Sequence, residues 1–143
     1  MKRLLPPPQV HAFLTCREII ENAHTNENIL VGPFYHVPVA SFPLRLSASI
    51  YVQISGGHGR YALEFQLRNL DGDVSWRCGP SEFHSPNPLL PHEIVVHEAI
   101  MDVPGPGKYD LVMSTNGEEL CSRTLFFGPR ELFAGDEPTA GPG

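Results

Sequence analysis

The string most like a catalytic signature lies between His92 and His97, with Glu93 directly after the first histidine. The zinc-protease motif His-Glu-x-x-His places two histidines four residues apart on one face of a helix. Here the spacing is five, and the Ile-Val-Val run at 94–96 favours a strand. Because residues an odd number apart point to opposite sides of a strand, the two histidines should not share a metal ion. The string therefore predicts a strand that carries two unrelated histidines.

Seven histidines in 143 residues nevertheless raise the alternative of a metal site. Neither His-x-His nor Cys-x-x-Cys spacing occurs in the sequence to nucleate a zinc centre. Any site would therefore have to assemble from separate strands, and the candidates for it are His84, His97 and Cys78. We expect neither a metal nor another cofactor, and a metal-dependent binder or small enzyme stays as the alternative.

The other motifs predict turns and identify no catalytic residue. The loop at 71–73 has only two carboxylates, fewer than a calcium loop needs. The Gly-rich stretch at 56–59 lacks the lysine of a phosphate-binding loop. The serines at 75, 81 and 114 have no Gly-x-Ser-x-Gly setting, so no activated serine is indicated.

Several aromatic residues and one histidine are candidates for contact with a protein partner: Trp76, Phe83, His84, Phe126 and Phe127. Trp76 is also a natural core residue of a β-sandwich, and that position is the favoured one. The segment 78–91 contains four prolines and no clear period, so we predict a long irregular loop that is the first place to look for a partner site. The apolar extended segment 29–39 and the Phe126-Phe127 pair suggest self-association.

Charge and cysteine content limit the partners and the compartment. There are 10 Lys and Arg against 16 Asp and Glu, for a net charge of −6, and the cations are scattered. We therefore expect neither nucleic acid nor an anionic membrane surface as a partner. Three widely spaced cysteines favour free thiols, and the prolines at 6–8 interrupt anything like a signal peptide. These features predict a cytoplasmic protein.

The distribution of glycine and proline divides the chain into three parts. The 13 Gly and 15 Pro exclude a helix bundle and favour short elements joined by turns. Residues 1–9 are predicted to be a Pro-rich extended leader, and 10–127 carry the periodic pattern of one domain. We expect the Gly- and Pro-rich tail at 128–143 to be mostly disordered, or docked only through Phe133.

Apolar residues alternate with polar ones along 48–54 and 61–67, which is typical of half-buried antiparallel strands. The glycines at 56–59 predict a hairpin between these two strands. Asp71-Gly72 predicts another turn, and Asn116-Gly117 is the strongest hairpin signal. A further strand is expected at 93–103. Residues 17–23 fit either one or two helical turns or a strand in a hairpin with the segment after 25–28, and the hairpin is favoured.

About seven to nine strands with regular turns point to an all-β antiparallel immunoglobulin-like sandwich. The segment that starts at Gly107 fits this fold, because a Gly-rich turn followed by x-Tyr-x-Leu commonly begins its penultimate strand. Tyr109 would then bond back to the backbone at a tyrosine corner, or would simply be a core aromatic residue.

Core and turn patterns of one kind are found in five stretches of the chain, at 12–16 (Ala-Phe-Leu-Thr-Cys), 29–34, 41–43 (Ser-Phe-Pro), 61–71 and 107–125. In these stretches the chain resembles a group of small bacterial proteins predicted to be immunoglobulin-like β-sandwiches. This resemblance implies a fold and carries no activity, cofactor or catalytic residue with it. We therefore expect a non-catalytic binding or assembly module of a bacterial cytoplasm.

Overall fold

The computed structural model describes residues 7–131. Residues 1–6 of the predicted leader (1–9) and 132–143 of the predicted tail (128–143), including Phe133, lie outside the described residues. No helix in the described range is long and apolar enough to cross a membrane. Nine strands follow one another within residues 7–131: β1 Gln9–Asn22, β2 Glu27–Phe34, β3 His36–Pro38, β4 Leu44–Ser55, β5 Gly59–Asn69, β6 Val74–Ser85, β7 His92–Val103, β8 Gly107–Thr115 and β9 Glu118–Gly128.

The strands form two sheets, and the prediction of an all-β, mainly antiparallel fold is confirmed. Sheet A has the order β2-β1-β4-β7, and sheet B has the order β3-β9-β8-β5-β6. All neighbours are antiparallel except the short β3, which runs parallel to β9. Sheet B curls into half of a barrel.

One hydrophobic core lies between the sheets. Ile50 and Val52 from β4 and Leu67 and Leu111 from sheet B are fully buried in it. The rings of Phe13 in sheet A and Phe65 in sheet B lie 6.1 Å apart across the layer. The alternation predicted for 48–54 and 61–67 is therefore real, because the apolar residues of each strand are buried on one face while the other face is mostly half-buried or exposed.

Of the three turns predicted from glycine-containing motifs, two join neighbouring strands in a hairpin. Asn116 and Gly117 both have positive φ, 53° and 80°, and join β8 to β9 in the tight turn that favours this dipeptide. Asp71-Gly72 joins β5 to β6, where the Asn69 side chain accepts hydrogen bonds from two backbone N–H groups at 2.9 Å.

The hairpin predicted at 56–59 is wrong, because β4 lies in sheet A and β5 in sheet B. The glycines turn the chain from one layer to the other. The backbone N–H of His58 donates to the Tyr61 hydroxyl at 2.8 Å, and Ser85 Oγ donates to the Gly57 carbonyl at 2.8 Å. Alternation shows that each strand has one apolar face. That face can be buried equally well whether the two strands are neighbours in one sheet or lie in opposite sheets across the core.

Residues 17–22 continue β1, so the favoured hairpin is confirmed and the helical alternative is excluded. The backbone N–H of Asn26, which has a φ of 60°, donates to the Asn22 carbonyl at 2.7 Å. The Asn22 side chain accepts from the N–H of His24 at 2.9 Å. The backbone groups of the turn are therefore hydrogen-bonded to each other and to the Asn22 side chain, as is typical of asparagine in turns.

The irregular loop predicted at 78–91 is wrong for its first half, because β6 continues to Ser85. This strand is at the edge of sheet B and has no neighbouring strand on its outer side, so Pro80, which lacks an N–H, is tolerated there. Gly79, with a φ of 98°, accompanies a register shift against β5. The shift interrupts the alternation of apolar and polar residues, so the sequence pattern does not indicate a strand there.

Candidate functional site

The two halves of β1 have different neighbours. From Gln9 to Cys16 the strand pairs with β4, whereas beyond Cys16 it pairs only with β2. This outer part of β1, with β2, forms a segment that we call the hairpin arm, residues 17–31. The chain is free to leave the plane of sheet A there, because no ladder to β4 holds it.

The hairpin arm reaches across sheet A to the far strand. Glu21 Oε2 lies 2.8 Å from His97 Nε2, and Asn28 Nδ2 donates to Glu93 Oε1 at 2.9 Å. Both partners are on β7, and β4 separates β7 from β1 in the sheet. The arm therefore leans over the outer side of β4, and side-chain bonds tie it down.

The arm has an inner and an outer face, since strand side chains alternate. Ile19 on the inner face is buried, separately from the main core, and its cross-strand partner Leu30 is half-buried. On the outer face, Ile20 and Ile29 lie directly opposite each other and are 44% and 48% exposed. The arm thus presents a pair of large apolar side chains to solvent.

A polar cleft of about 480 Å³ lies beneath the arm. Its lining includes Glu21, Asn28, Glu93 and Val95. Tyr51, next to it on β4, donates a short hydrogen bond from its hydroxyl to Glu93. Burial, and then the hydrogen bond and negative charge of Glu93, raise the pKa of Tyr51 to about 12. The phenol therefore stays protonated at neutral pH and acts as a donor to Glu93.

The three metal candidates lie in different parts of the fold. Cys78 on β6 packs against the core, and His84 on the same strand is exposed and pairs in register with Arg60. His97 lies on the outer side of sheet A, bonded to Glu21. In residues 7–131 no three His, Cys, Asp or Glu side chains come together in a way that could hold a metal ion.

His92 and His97 point to opposite sides of β7, as the strand period requires. His97 faces outward, whereas the ring of His92 packs edge-on against Phe83 with 5.6 Å between centroids. The two thiols outside β6 are poor nucleophiles. Burial raises the pKa of Cys16, and burial together with Glu119 raises that of Cys121 to about 11.

The predicted partner-binding residues separate into buried and exposed groups. Trp76 and Phe83 are half-buried and pack against the core, and Phe127 is fully buried, which leaves it no surface to offer. Phe126, on the opposite side of β9, is 38% exposed. His84 is exposed on the outer side of sheet B.

Sequence reasoning singled out Ile29 through the apolar segment 29–39 but missed its partner Ile20. The signal was present, because the turn-like residues at 25–28 place 20 and 29 near each other in a hairpin. The ties from Glu21 and Asn28 to β7 had no such signal, since they join residues 76 and 65 positions apart.

A scan of the chain against models of known protein families gives no match, and a search of curated proteins gives none either.

Proposed function

We propose that the chain is a non-catalytic protein-binding module whose binding surface is the outer face of the hairpin arm. The observation that carries this proposal is the exposed cross-strand pair of Ile20 and Ile29. Covering the exposed half of each side chain in an interface would contribute roughly 1 kcal/mol per residue. The same two residues contribute little to the fold, because neither belongs to the main core.

The backbone of β2 adds a second means of binding. This strand is an edge of sheet A, so one side of it is unpaired. An extended segment of a partner can add to such an edge by main-chain hydrogen bonds. Pro33 has no N–H, and Gly32 has a φ of 66°, so the regular part available for pairing is 27–31.

The charge of the arm favours one kind of partner. Glu18 and Glu27 are exposed and lie on the same face as Ile20 and Ile29. A partner with an apolar centre and Lys or Arg around it complements that face, whereas a second copy would bring carboxylates together. We therefore propose a basic protein partner, with self-association as the alternative outcome.

We also propose that the fold is an immunoglobulin-like sandwich. Three features support this assignment: the chain crosses between sheets from β4 to β5 and again from β7 to β8, β9-β8-β5-β6 lie side by side, and β4 pairs with β7. The Tyr109 hydroxyl donates to the Gly105 carbonyl at 2.9 Å, as in a tyrosine corner. The three free cysteines support a reducing, cytoplasmic location.

The test compares Ile29→Asp with Ile100→Asp, because Ile100 is a similarly exposed isoleucine on β7 at the opposite edge of sheet A. Tagged wild-type and variant chains are expressed in the native host, and co-purifying proteins are quantified by mass spectrometry. We expect a basic protein that is lost with Ile29→Asp and retained with Ile100→Asp.

Light scattering over a wide concentration range distinguishes the two kinds of partner. Concentration-dependent dimers that disappear with Ile29→Asp would identify the partner as a second copy. A protein retained equally by both variants, or lost equally with both, would show that the arm is not the binding surface.

A further inference from the structure

A second concavity lies at the other end of β2, away from the hairpin turn. It has a volume of about 440 Å³ and lies between the end of β2, β3 and the beginning of β4. Its walls are mainly apolar and include Phe34, Val37 and Leu46, which are half-buried against the core. The space exists because β1 leaves β4 after Cys16 and does not cover the first residues of that strand.

Arg17 lies at the rim of this cleft, and its side chain passes close to Gly32. A Cβ atom added to Gly32 would come within 2.7 Å of Arg17 Nε, so the guanidinium lies against the backbone of β2. A larger residue at position 32 would displace the arginine. Its left-handed φ of 66° also disfavours any other residue there. Because Gly32 has no side chain, the exposed Arg17 side chain can lie across the backbone of β2 at this point.

The guanidinium of Arg17 has no partner within the described part of the chain. Four other arginines form ion pairs there, in Arg45–Asp102, Arg60–Glu82, Arg68–Glu119 and Arg77–Glu64, whereas Arg123 and Arg130, like Arg17, form none within residues 7–131. Arg17 makes no ion pair or hydrogen bond with residues 7–131, although the chain has an excess of carboxylates. A guanidinium presents a planar fork of donors that fits a carboxylate.

We propose that this cleft binds a small apolar monocarboxylate, with its hydrocarbon part against Phe34, Val37 and Leu46 and its carboxylate on Arg17. The volume lies in the range of about 300–1,000 Å³ that is usual for small-molecule sites. Apolar walls with a few polar groups, here Arg17, His36 and Ser47, are also typical of such sites. This site is separate from the outer face of the hairpin arm and goes beyond the proposed protein binding.

The experiment titrates isotope-labelled full-length protein with octanoate, octanol or octyltrimethylammonium, below their micelle concentrations. The three probes share a chain and differ in charge. We expect octanoate to shift the amide and methyl signals of Val37 and Leu46. We expect octanol and the cation to bind at least about tenfold more weakly, which corresponds to about 1.4 kcal/mol.

Arg17→Gln removes the cation, and Arg60→Gln removes an equivalent charge on sheet B, at a distance from the cleft, as the matched control. We expect about a tenfold or greater loss of octanoate affinity for Arg17→Gln and no change for Arg60→Gln. A thermal melt of each variant verifies that the fold is kept. Since Ile29→Asp should bind octanoate like the wild type, the two proposals can fail independently.

Equal binding of octanoate and octanol would overturn the proposal, as would equal affinity of Arg17→Gln and wild type. Signal shifts centred on other residues, or no shifts with octanoate at millimolar concentration, would also overturn it.

Discussion

The inner and outer halves of β1 belong to one strand but are held by different forces. The inner half, to Cys16, is paired with β4 and contributes Phe13 to the main core. The outer half pairs only with β2, and it is fixed over sheet A by the buried Ile19 and by exposed side-chain bonds to β7. Backbone ladders and buried apolar surface are difficult to open locally, whereas exposed polar bonds contribute little each. The hairpin arm is therefore the part of sheet A that should open most readily.

The largest expected difference comes from one substitution made in each region. Ile50→Ala removes a fully buried side chain from the core and should lower the free energy of unfolding by about 2–5 kcal/mol. Ile29→Ala trims a half-exposed side chain on the arm and should cost less than about 1 kcal/mol. Urea unfolding followed by fluorescence measures both. Equal losses would mean that the arm is part of the cooperative core.

Two tyrosines allow the hydrogen bonds of the main domain and those beneath the hairpin arm to be compared. The Tyr109 hydroxyl accepts from the N–H of Gly105 and donates to its carbonyl, so Tyr109→Phe leaves backbone groups unpaired and should cost about 1–2 kcal/mol. Tyr51→Phe frees a carboxylate that water can solvate, and should cost less than about 1 kcal/mol. The same urea experiment measures both variants. A larger loss for Tyr51→Phe would show that the ties of the arm are stronger than the corner.

Much of the fold could be predicted from local pattern, because alternation and turn chemistry act over a few residues. Asn116-Gly117 specifies its hairpin through two positive φ values that few other residue pairs accept. The same reasoning failed at 56–59, where glycines permit a turn but do not decide which sheet the next strand joins. That choice depends on how two apolar faces pack across the core, which is a property of the whole domain.

The candidate sites were less predictable, because they depend on residues far apart in sequence. The exposure of Ile20 and Ile29 follows from the point at which β1 leaves β4, and no motif marks that point. Arg17 is a candidate ligand-binding residue because its side chain lies against Gly32 and forms no ion pair with residues 7–131. Trp76 was predicted to favour the core and does pack against it, whereas Phe127, a candidate partner contact at the end of the last strand, is fully buried.

The smallest expected effect concerns the polar tie beneath the arm. Glu93 accepts hydrogen bonds from both Tyr51 and Asn28, so Glu93→Gln weakens two contacts without removing a buried side chain. Amide hydrogen exchange of 17–31 should become a few times faster, while the free energy of unfolding changes by less than about 1 kcal/mol. Unchanged exchange in the arm, or faster exchange throughout the core, would contradict this picture.

The titration of Tyr51 gives the same variant a second readout. Its pKa is raised to about 12 from an ordinary value of 10, with burial as the largest cause and Glu93 as the next. A raised pKa in the folded state means that the stabilising contribution is complete below pH 10 and is lost as the pH rises to about 12. A titration of the Tyr51 ring signals by NMR, assigned with Tyr51→Phe, should show a late ionisation in the wild type and an earlier one in Glu93→Gln. Because burial remains in Glu93→Gln, the pKa of Tyr51 should still lie above 10. A return to 10 would mean that the arm had opened and exposed the phenol to water.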